Sequence, residues 1–246
     1  MDNRPAMPQQ ITLSVVSHGQ TALVNQLLQD LRPLARGRLR VVVTLNIPDA
    51  TPLAEADAAL PTEVIVNRRA KGFGANHNAA FERCRTPYFC VANPDIRLAA
   101  DPFPALVEQL ADPAAGVAGP LVRSDLGGVE DSARRFPTAA LLLKKLFVER
   151  RQPDYPTNRG ALNVDWVAGM FMLFSADAYR RVGGFDEAFF LYYEDVDICR
   201  RLARAGKRII YDPRAEVVHA ARRASRRELR YARYHAASLL RFLLKR

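Results

Sequence analysis

The feature that most constrains this chain is an alternation, over its N-terminal half, of short Val/Ile/Leu runs with stretches of helical apolar spacing. "ITLSVVS" (11–17) is a continuous apolar strand closed by His18-Gly19, and "ALVNQLLQDL" (22–31) predicts a helix up to Pro33. "RLRVVVTLN" (38–46), "EVIVN" (63–67) and "YFCVAN" (88–93) read as further strands. Between and after them come a weak helix near 53–59, a helix over 74–84 behind a glycine turn, and another over 103–111. Unbroken apolar runs mark strands buried on both faces, so the expected fold is α/β, with a mostly parallel central sheet flanked by helices.

The pattern then loosens. Residues 121–163 contain "SDLGG", "RRFPT" and "RRQPDYPTNRG", which predict a loop-rich region over the working edge of the sheet, with a short helix at about 139–150. "VDWVAGMFMLF" (164–174) reads as one long strand and "DAYRRVGG" (177–184) as a helix ended by glycines. A helix through "EDVDICRRLARAG" ends at Gly206, and "RIIY" and "EVVH" are short strands.

Charge is unevenly placed. Nine Lys/Arg stand against one Glu from Arg222 onward, a net of +8, which leaves +2 of the total +10 for the other 221 residues. The tail therefore accounts for the high isoelectric point, and a basic groove through the protein is not needed to explain it. In that tail Leu229, Ala232, Ala236, Leu239 and Leu243 share a helical stripe flanked by arginines. Such a helix suits an anionic membrane surface or, equally, packing on the domain with its arginines solvated. Neither an RNA-binding aromatic sheet signature nor helix-turn-helix spacing is present, so no nucleic acid is expected as a partner. Cys84, Cys90 and Cys199 form neither a CxxC pair nor an even set, the usage of a reduced, cytoplasmic-type compartment. "MDNRPAMPQQ" lacks the apolar segment of a signal peptide, and no run approaches the roughly 18 to 20 apolar residues of a membrane span.

Four stretches carry candidate chemistry. Gly72-Phe73-Gly74 opens a helix and suits an anion, although His77 stands where a dinucleotide fingerprint needs its third glycine. Taken alone the glycines make an ordinary turn; Asn67, Asn76 and Asn78 around them could hydrogen-bond a base or sugar. Asn93-Pro94-Asp95 follows a buried strand and so lies at the carboxyl edge of the sheet, where hard oxygen donors suit Mg²⁺ or Mn²⁺; taken alone, the tripeptide reads first as a turn. In "FFLYYEDVDICRR" (189–201), Glu194, Asp195 and Asp197 crowd behind an aromatic run. Helix capping and pairing of Asp197 with Arg200 or Arg201 explain part of that cluster, and a carboxylate against an apolar wall gains basicity. His219 ends the last strand, where its imidazole could serve a metal, while Trp166 and Gly169 suit either core or site.

Taken in order, "SVVSHGQ", "NRRAKGFGANHNAAF", "ANPDIRL", "VDWVAGMFML" and "VGGFDEAFFLYYEDVDICRRLARAGKRIIYDPRAEVVH" resemble glycosyltransferase family 2, the inverting sugar transferases of GT-A fold, in particular its rhamnosyltransferase-like members. The likeness covers residues 11–220, leaving 1–10 as an N-terminal extension and 221–246 as a basic amphipathic helix. It implies transfer of a sugar such as rhamnose from a nucleoside-diphosphate donor, dTDP- or UDP-linked, to a hydroxyl of a glycan or lipid-linked acceptor in cell-surface polysaccharide synthesis. A non-catalytic nucleotide- or sugar-binding protein of the same fold is the alternative. The resemblance implies Asp195 as catalytic base with Glu194 beside it, and Asp95 and His219 as holders of a divalent metal, Mg²⁺ or Mn²⁺. It further implies nucleotide contacts from Ser17, His18, Asn46, Asn67, Gly72, Phe73, Asn78 and Asn93, and donor or acceptor sugar contacts from Trp166, Gly169 and Asp197. A cytoplasmic enzyme, peripheral on the inner membrane's cytoplasmic face, is the matching location. Two departures stand out. Thr44 and Asn46 replace the aspartate with which relatives contact the base, and Asn93 leaves the metal motif one carboxylate short.

Overall fold

The computed structural model describes residues 10–55, 58–137, 153–220 and 229–245. In chain order the first half comprises β1 (Ile11–His18), α1 (Thr21–Ala35), β2 (Leu39–Ile47), β3 (Thr62–Val66), α2 (Phe73–Phe81), β4 (Tyr88–Ala92), β5 (Ile96–Arg97) and α3 (Phe103–Leu110). Then follow β6 (Ala115–Ser124), β7 (Ala133–Arg134), β8 (Leu162–Asn163), β9 (Trp166–Val167) and β10 (Phe171–Ser175). The chain closes with α4 (Ala176–Arg181), α5 (Glu194–Arg204), β11 (Arg208–His219) and α6 (Leu229–Leu244).

The central sheet has the order β3-β2-β1-β4-β10-β6-β11-β5, with β8 added on β11. β3, β2, β1, β4, β6 and β11 run in one direction and β10 runs against them, so the sheet is mostly parallel, as expected. Alternate residues face opposite layers. Leu13, Val15, Val41 and Val43 pack with α1 and α3 on one side, whereas Val42, Phe89, Val91 and Phe174 pack with α2, α4 and α5 on the other. Burial on both faces is why these strands lack the polar alternation of an exposed sheet. The three cysteines are buried and form no disulfide.

Several elements differ from expectation. α1 continues through Pro33 and ends at Arg36, which takes a left-handed conformation (φ 42°). The described residues of 53–59 form no helix, and the helix expected at 139–150 lies outside the described residues. β6 was hidden in the sequence because "AGVAGPLVRS" has little intrinsic strand preference; its position comes from tertiary contacts. Gly116 and Gly119 leave room for Lys207 and Leu202 and for Val167, and Pro120 lies beyond the β10 pairing at Val117 and Ala118, opposite the irregular stretch of β11. The single strand expected over 164–174 is two, interrupted at Ala168–Met170. Conversely, "RIIY" and "EVVH" are one strand with a register shift between Asp212 and Glu216.

The C-terminal helix docks on the domain, but not through the stripe expected of it. Phe242 is buried beneath the Arg200 guanidinium (3.9 Å to the ring centroid), and Ser238 Oγ donates to the Leu191 carbonyl (2.8 Å). Lys245 Nζ contacts Asp186 (2.8 Å) and Asp197 (2.7 Å). The receiving surface is aromatic with a charged rim: Phe242 packs with Phe189, Val196 and Tyr193, and Tyr234 with Phe190, while Ala232, Ala236 and Leu243 remain exposed. Among the described residues no helix is long and apolar enough to cross a membrane.

Candidate active site

The carboxyl ends of β1, β2 and β4 open into a cleft of about 570 Å³. His18 and Asn46 line it from the strand ends, Lys71, Phe73 and His77 from the start of α2, and Asn93 to Asp95 from the turn after β4. Phe190, Leu191 and Tyr192 close one side together with Tyr231 and Tyr234 of α6. In the floor, Ser14 Oγ meets His77 Nδ1 at 2.8 Å, and burial pulls that imidazole down to about 3, so it is neutral.

The asparagines shape the cleft by bonding to one another and to the β3–α2 loop. Asn46 Oδ1 accepts from Asn67 Nδ2 (2.8 Å) and the Lys71 amide (2.8 Å), while its Nδ2 donates to the Lys71 carbonyl (3.0 Å) and to His18 Nδ1 (3.0 Å). Asn67 Nδ2 also donates to Asn76 Oδ1 (2.7 Å). Asn46 thus pairs with Lys71 much as a neighbouring strand would, and fixes the loop that carries Lys71 to the cleft.

Asp95 and His219 come together because β5 pairs with β11, setting Ile96 opposite His219. His219 Nε2 lies 3.3 Å from Asp95 Oδ1, an oxygen that is buried and has no hydrogen bond. The other ring nitrogen, Nδ1, meets Glu130 Oε2 at 2.8 Å. Burial alone would depress the imidazole, but Asp95 and Glu130 outweigh it and raise His219 to about 9. Glu130 is a partner of His219 that the sequence did not reveal.

Asp195 sits at the first turn of α5, partly exposed. Its Oδ2 accepts the Gly169 amide N–H (2.9 Å) and its Oδ1 accepts from Val196 (2.8 Å). The break between β9 and β10 frees that Gly169 amide, and Met170, next in sequence, accepts from the Asn93 amide (2.9 Å). Asp195 is therefore coupled through two adjacent backbone groups to the turn that bears Asp95. Burial raises the carboxyl of Asp195 above its ordinary value, and backbone N–H donors, that of Gly169 foremost, offset part of the rise. Burial, then the charge of Asp195, pushes Glu194 well above the ordinary carboxylate range, and Glu194 Oε2 has no hydrogen-bond partner.

Ahead of α5, Tyr192 and Tyr193 have φ of 71° and 67°. Consecutive bulky residues in the left-handed region are strained, by about 1 to 3 kcal/mol each. His235 of α6 holds them, with its ring 5.5 Å from Tyr192 and 5.2 Å from Tyr193. No residue type in "LYYED" announces this backbone.

Other expected site residues are placed elsewhere. Asn78 is absorbed by Tyr179, Glu187 and the backbone of Phe185, and does not line the cleft. Asp197 is fully buried and bound by Arg201 (2.7 Å) and Lys245, an ion cluster behind the helix rather than a sugar contact. Ser17 is buried and bonds to Gln20 and Thr21 at the start of α1. Gly72 packs against the Phe190 backbone, and Trp166 donates to the Arg135 carbonyl while packing beside Phe189 and Val196. Among the described residues no group of three or more His, Cys, Asp or Glu side chains forms a metal cage.

The chain is similar in sequence and in fold to known glycosyltransferases. The chain is 34% identical over 167 residues to the N-acetylglucosaminyl-diphospho-decaprenol L-rhamnosyltransferase of Mycobacterium tuberculosis, covering 63% of this chain and 53% of that protein, so it spans about half the length of that relative. It is 26% identical over 248 residues to the rhamnosyltransferase WbbL of Escherichia coli, covering 96% and 93%. In fold it is similar to GalNAc-T7, solved with UDP, GalNAc and Mn²⁺ (TM-score 0.64, 13% identity, 87% of this chain and 44% of that one). It is also similar to the mannosyltransferase PcManGT of Pyrobaculum calidifontis, solved with GDP-Man and Mn²⁺ (TM-score 0.59, 18% identity, 90% and 62%). The fold is thus of GT-A type. The family model described as glycosyltransferase like family 2 matches residues 8–234, nearly the whole chain, and the chain belongs to that family.

Proposed function

We propose that the protein is an inverting glycosyltransferase that moves a sugar of the rhamnose kind from a dTDP- or UDP-linked donor to a hydroxyl of a lipid-linked or glycan acceptor. The observation that carries this reading is the pairing of two stations on one stretch of backbone. Asp95 faces His219 at 3.3 Å, and Asp195 is bonded to Gly169, next to the Met170 carbonyl that holds the Asn93 amide. The kind of sugar and of acceptor follows the relatives, which are named rhamnosyltransferases, one of them with a polyprenyl diphosphate acceptor in its name.

The donor set at Asp95 fits a divalent cation. Asp95 Oδ1 is buried without a hydrogen bond, His219 Nε2 faces it, and Glu130 on Nδ1 orients the ring as carboxylates orient metal-binding histidines. Two protein donors suffice for Mg²⁺ or Mn²⁺ when diphosphate oxygens and water complete the shell. Such an ion supplies charge neutralisation for the diphosphate leaving group.

The chain's own residues do the rest. The acceptor oxygen forms its bond to the anomeric carbon as the bond from that carbon to the diphosphate oxygen breaks, and the electron pair leaves with the diphosphate. Asp195 takes the hydroxyl proton, a positioned general base typically contributing about 10²- to 10⁴-fold. Glu194 is the deeper of the two and is raised the further, by burial and then by the charge of Asp195, so it holds its proton the more tightly. Because the diphosphate leaves as an anion, no second acid is required, unlike glycoside hydrolysis. A binding module without turnover would have no use for a partly exposed carboxylate fixed by the Gly169 and Val196 amides.

Asp195→Asn tests the assignment. Asparagine keeps an oxygen to accept the Gly169 N–H, so the fold and donor binding persist while transfer falls by at least about 10²-fold. Undiminished transfer by the folded variant, measured beside donor affinity, removes Asp195 from the role.

A further inference from the structure

The C-terminal helix has two faces of different chemistry. Its inner face carries Tyr231, Tyr234, His235, Ser238 and Phe242, which wall the cleft, hold the strained tyrosines and dock on α5. Its outer face carries Ala236, Leu240, Leu243 and Leu244, and the leucines are 58%, 45% and 72% exposed. At 3.6 residues per turn these four positions fall in one arc opposite Ser238 and Phe242. Among the described residues nothing covers them.

The surrounding charge identifies what would cover them. Arg233 is exposed on the same arc, and the sequence places Arg222, Arg223, Arg226, Arg227 and Arg230 directly before it. From Arg222 onward the chain carries nine Lys/Arg against one Glu. An anionic bilayer offers the complement to both features: acyl chains for the leucines and headgroup phosphates for the guanidinium groups.

We propose that the outer face of α6 is a docking surface for an anionic bilayer. Leu240 lies nine residues from Tyr231, about 14 Å along the helix axis at 1.5 Å per residue. Docking therefore brings the cleft that Tyr231 and Tyr234 wall to the membrane interface, where a lipid-linked acceptor presents its sugar. That consequence, though not the docking itself, rests on the transferase reading.

Vesicle flotation of the full chain tests the proposal, comparing phosphatidylcholine alone with phosphatidylcholine containing phosphatidylglycerol, and wild type with the double variant L240E/L244E. Both leucines are exposed, so circular dichroism and the thermal midpoint of the variant should match wild type. Wild type is expected to float with phosphatidylglycerol and at least tenfold less without it, and the variant to lose at least tenfold in binding. Equal flotation of wild type and variant, or flotation of neither, overturns the proposal. So does a wild-type dimer that the variant dissociates and that does not float, which assigns the face to a second copy. Independently, because the native cysteines are buried, L240C can carry a single polarity-sensitive dye; its emission should shift to the blue on phosphatidylglycerol vesicles, and an unshifted spectrum sinks the idea. Flotation needs neither donor nor acceptor, so a protein that floats without transferring sugar retains the docking surface, and an active transferase that never floats loses it.

Discussion

Gly72 lies against Phe190 with no room between the two backbones: a Cβ built on Gly72 would stand 2.7 Å from the Phe190 carbonyl oxygen and 2.9 Å from its Cα. The next amide, that of Phe73, donates to the same oxygen at 2.9 Å. The glycine is needed there because it lets the aromatic segment before α5 seat on the start of α2.

Gly72→Ala should therefore destabilise the protein, since the clash is with backbone that cannot rotate away. Overpacking of this kind costs about 1 to 3 kcal/mol. In a chain of this size that lowers the thermal midpoint by roughly 2 to 4 °C per kcal/mol. A calorimetric midpoint equal to wild type would show that the two segments separate freely.

Glu130→Gln should separate the metal role of His219 from its fold role. Glutamine can still bond Nδ1, but the carboxylate that strengthens the ring as a ligand is gone. Loss of such a partner typically costs about 10- to 100-fold in metal affinity. Titration of Mn²⁺ into protein saturated with nucleoside diphosphate should show that weakening while the metal-free midpoint stays near wild type; unchanged Mn²⁺ affinity would detach Glu130 from the site.

How far the sequence disclosed all this depends on where each signal comes from. β1, β2 and β4 were legible because burial on both faces writes itself as unbroken apolar runs, and Asp95, Asp195 and His219 stood in ordered motifs. β6 was not, because Gly116, Gly119 and Pro120 owe their strand position to the neighbours they admit. Glu130 reaches His219 across 89 residues, from a loop whose residues have no periodicity. Asn78 and Asp197 misled for the opposite reason: polar residues beside a motif read as site residues, yet each is consumed by internal partners. The left-handed Tyr192 and Tyr193 were invisible because tyrosine has no preference for that conformation; both rings meet His235 of α6, far along the chain.

Glu194→Gln should flatten the dependence of stability on pH. Burial and Asp195 raise the folded-state value of Glu194 above the unfolded one, about 4.3. The folded form thus binds this proton more tightly, so its contribution is whole below the unfolded value and is lost as pH climbs through the raised folded value. Glutamine cannot ionise and escapes that loss. In urea melts the midpoint of the variant should gain on wild type as pH rises from 4 upward, and parallel curves would mean that Glu194 is not held protonated by the fold.

Phe242→Ala tests what the docked face of α6 does for the cleft. A buried phenyl ring truncated to a methyl group costs about 3 to 5 kcal/mol when the surrounding structure cannot escape the loss. Here it can. The helix lies at the end of the chain, fastened by Phe242 on Arg200, Ser238 on Leu191, and Lys245 on Asp186 and Asp197. Once undocking becomes cheaper than tolerating the cavity, α6 detaches while the sheet remains folded, and the loss is capped at the free energy of docking. The global midpoint should then fall by less than the roughly 2 to 4 °C per kcal/mol expected of a full core cavity. Limited trypsin digestion should cut at Arg233 and Arg241 faster than in wild type, and donor affinity should drop because Tyr231 and Tyr234 leave the cleft with the helix. Rapid tryptic cleavage with donor affinity intact would show that the tyrosines wall the cleft without contributing to it; slow cleavage with a midpoint lowered by the whole cavity cost would make α6 an inseparable part of the core.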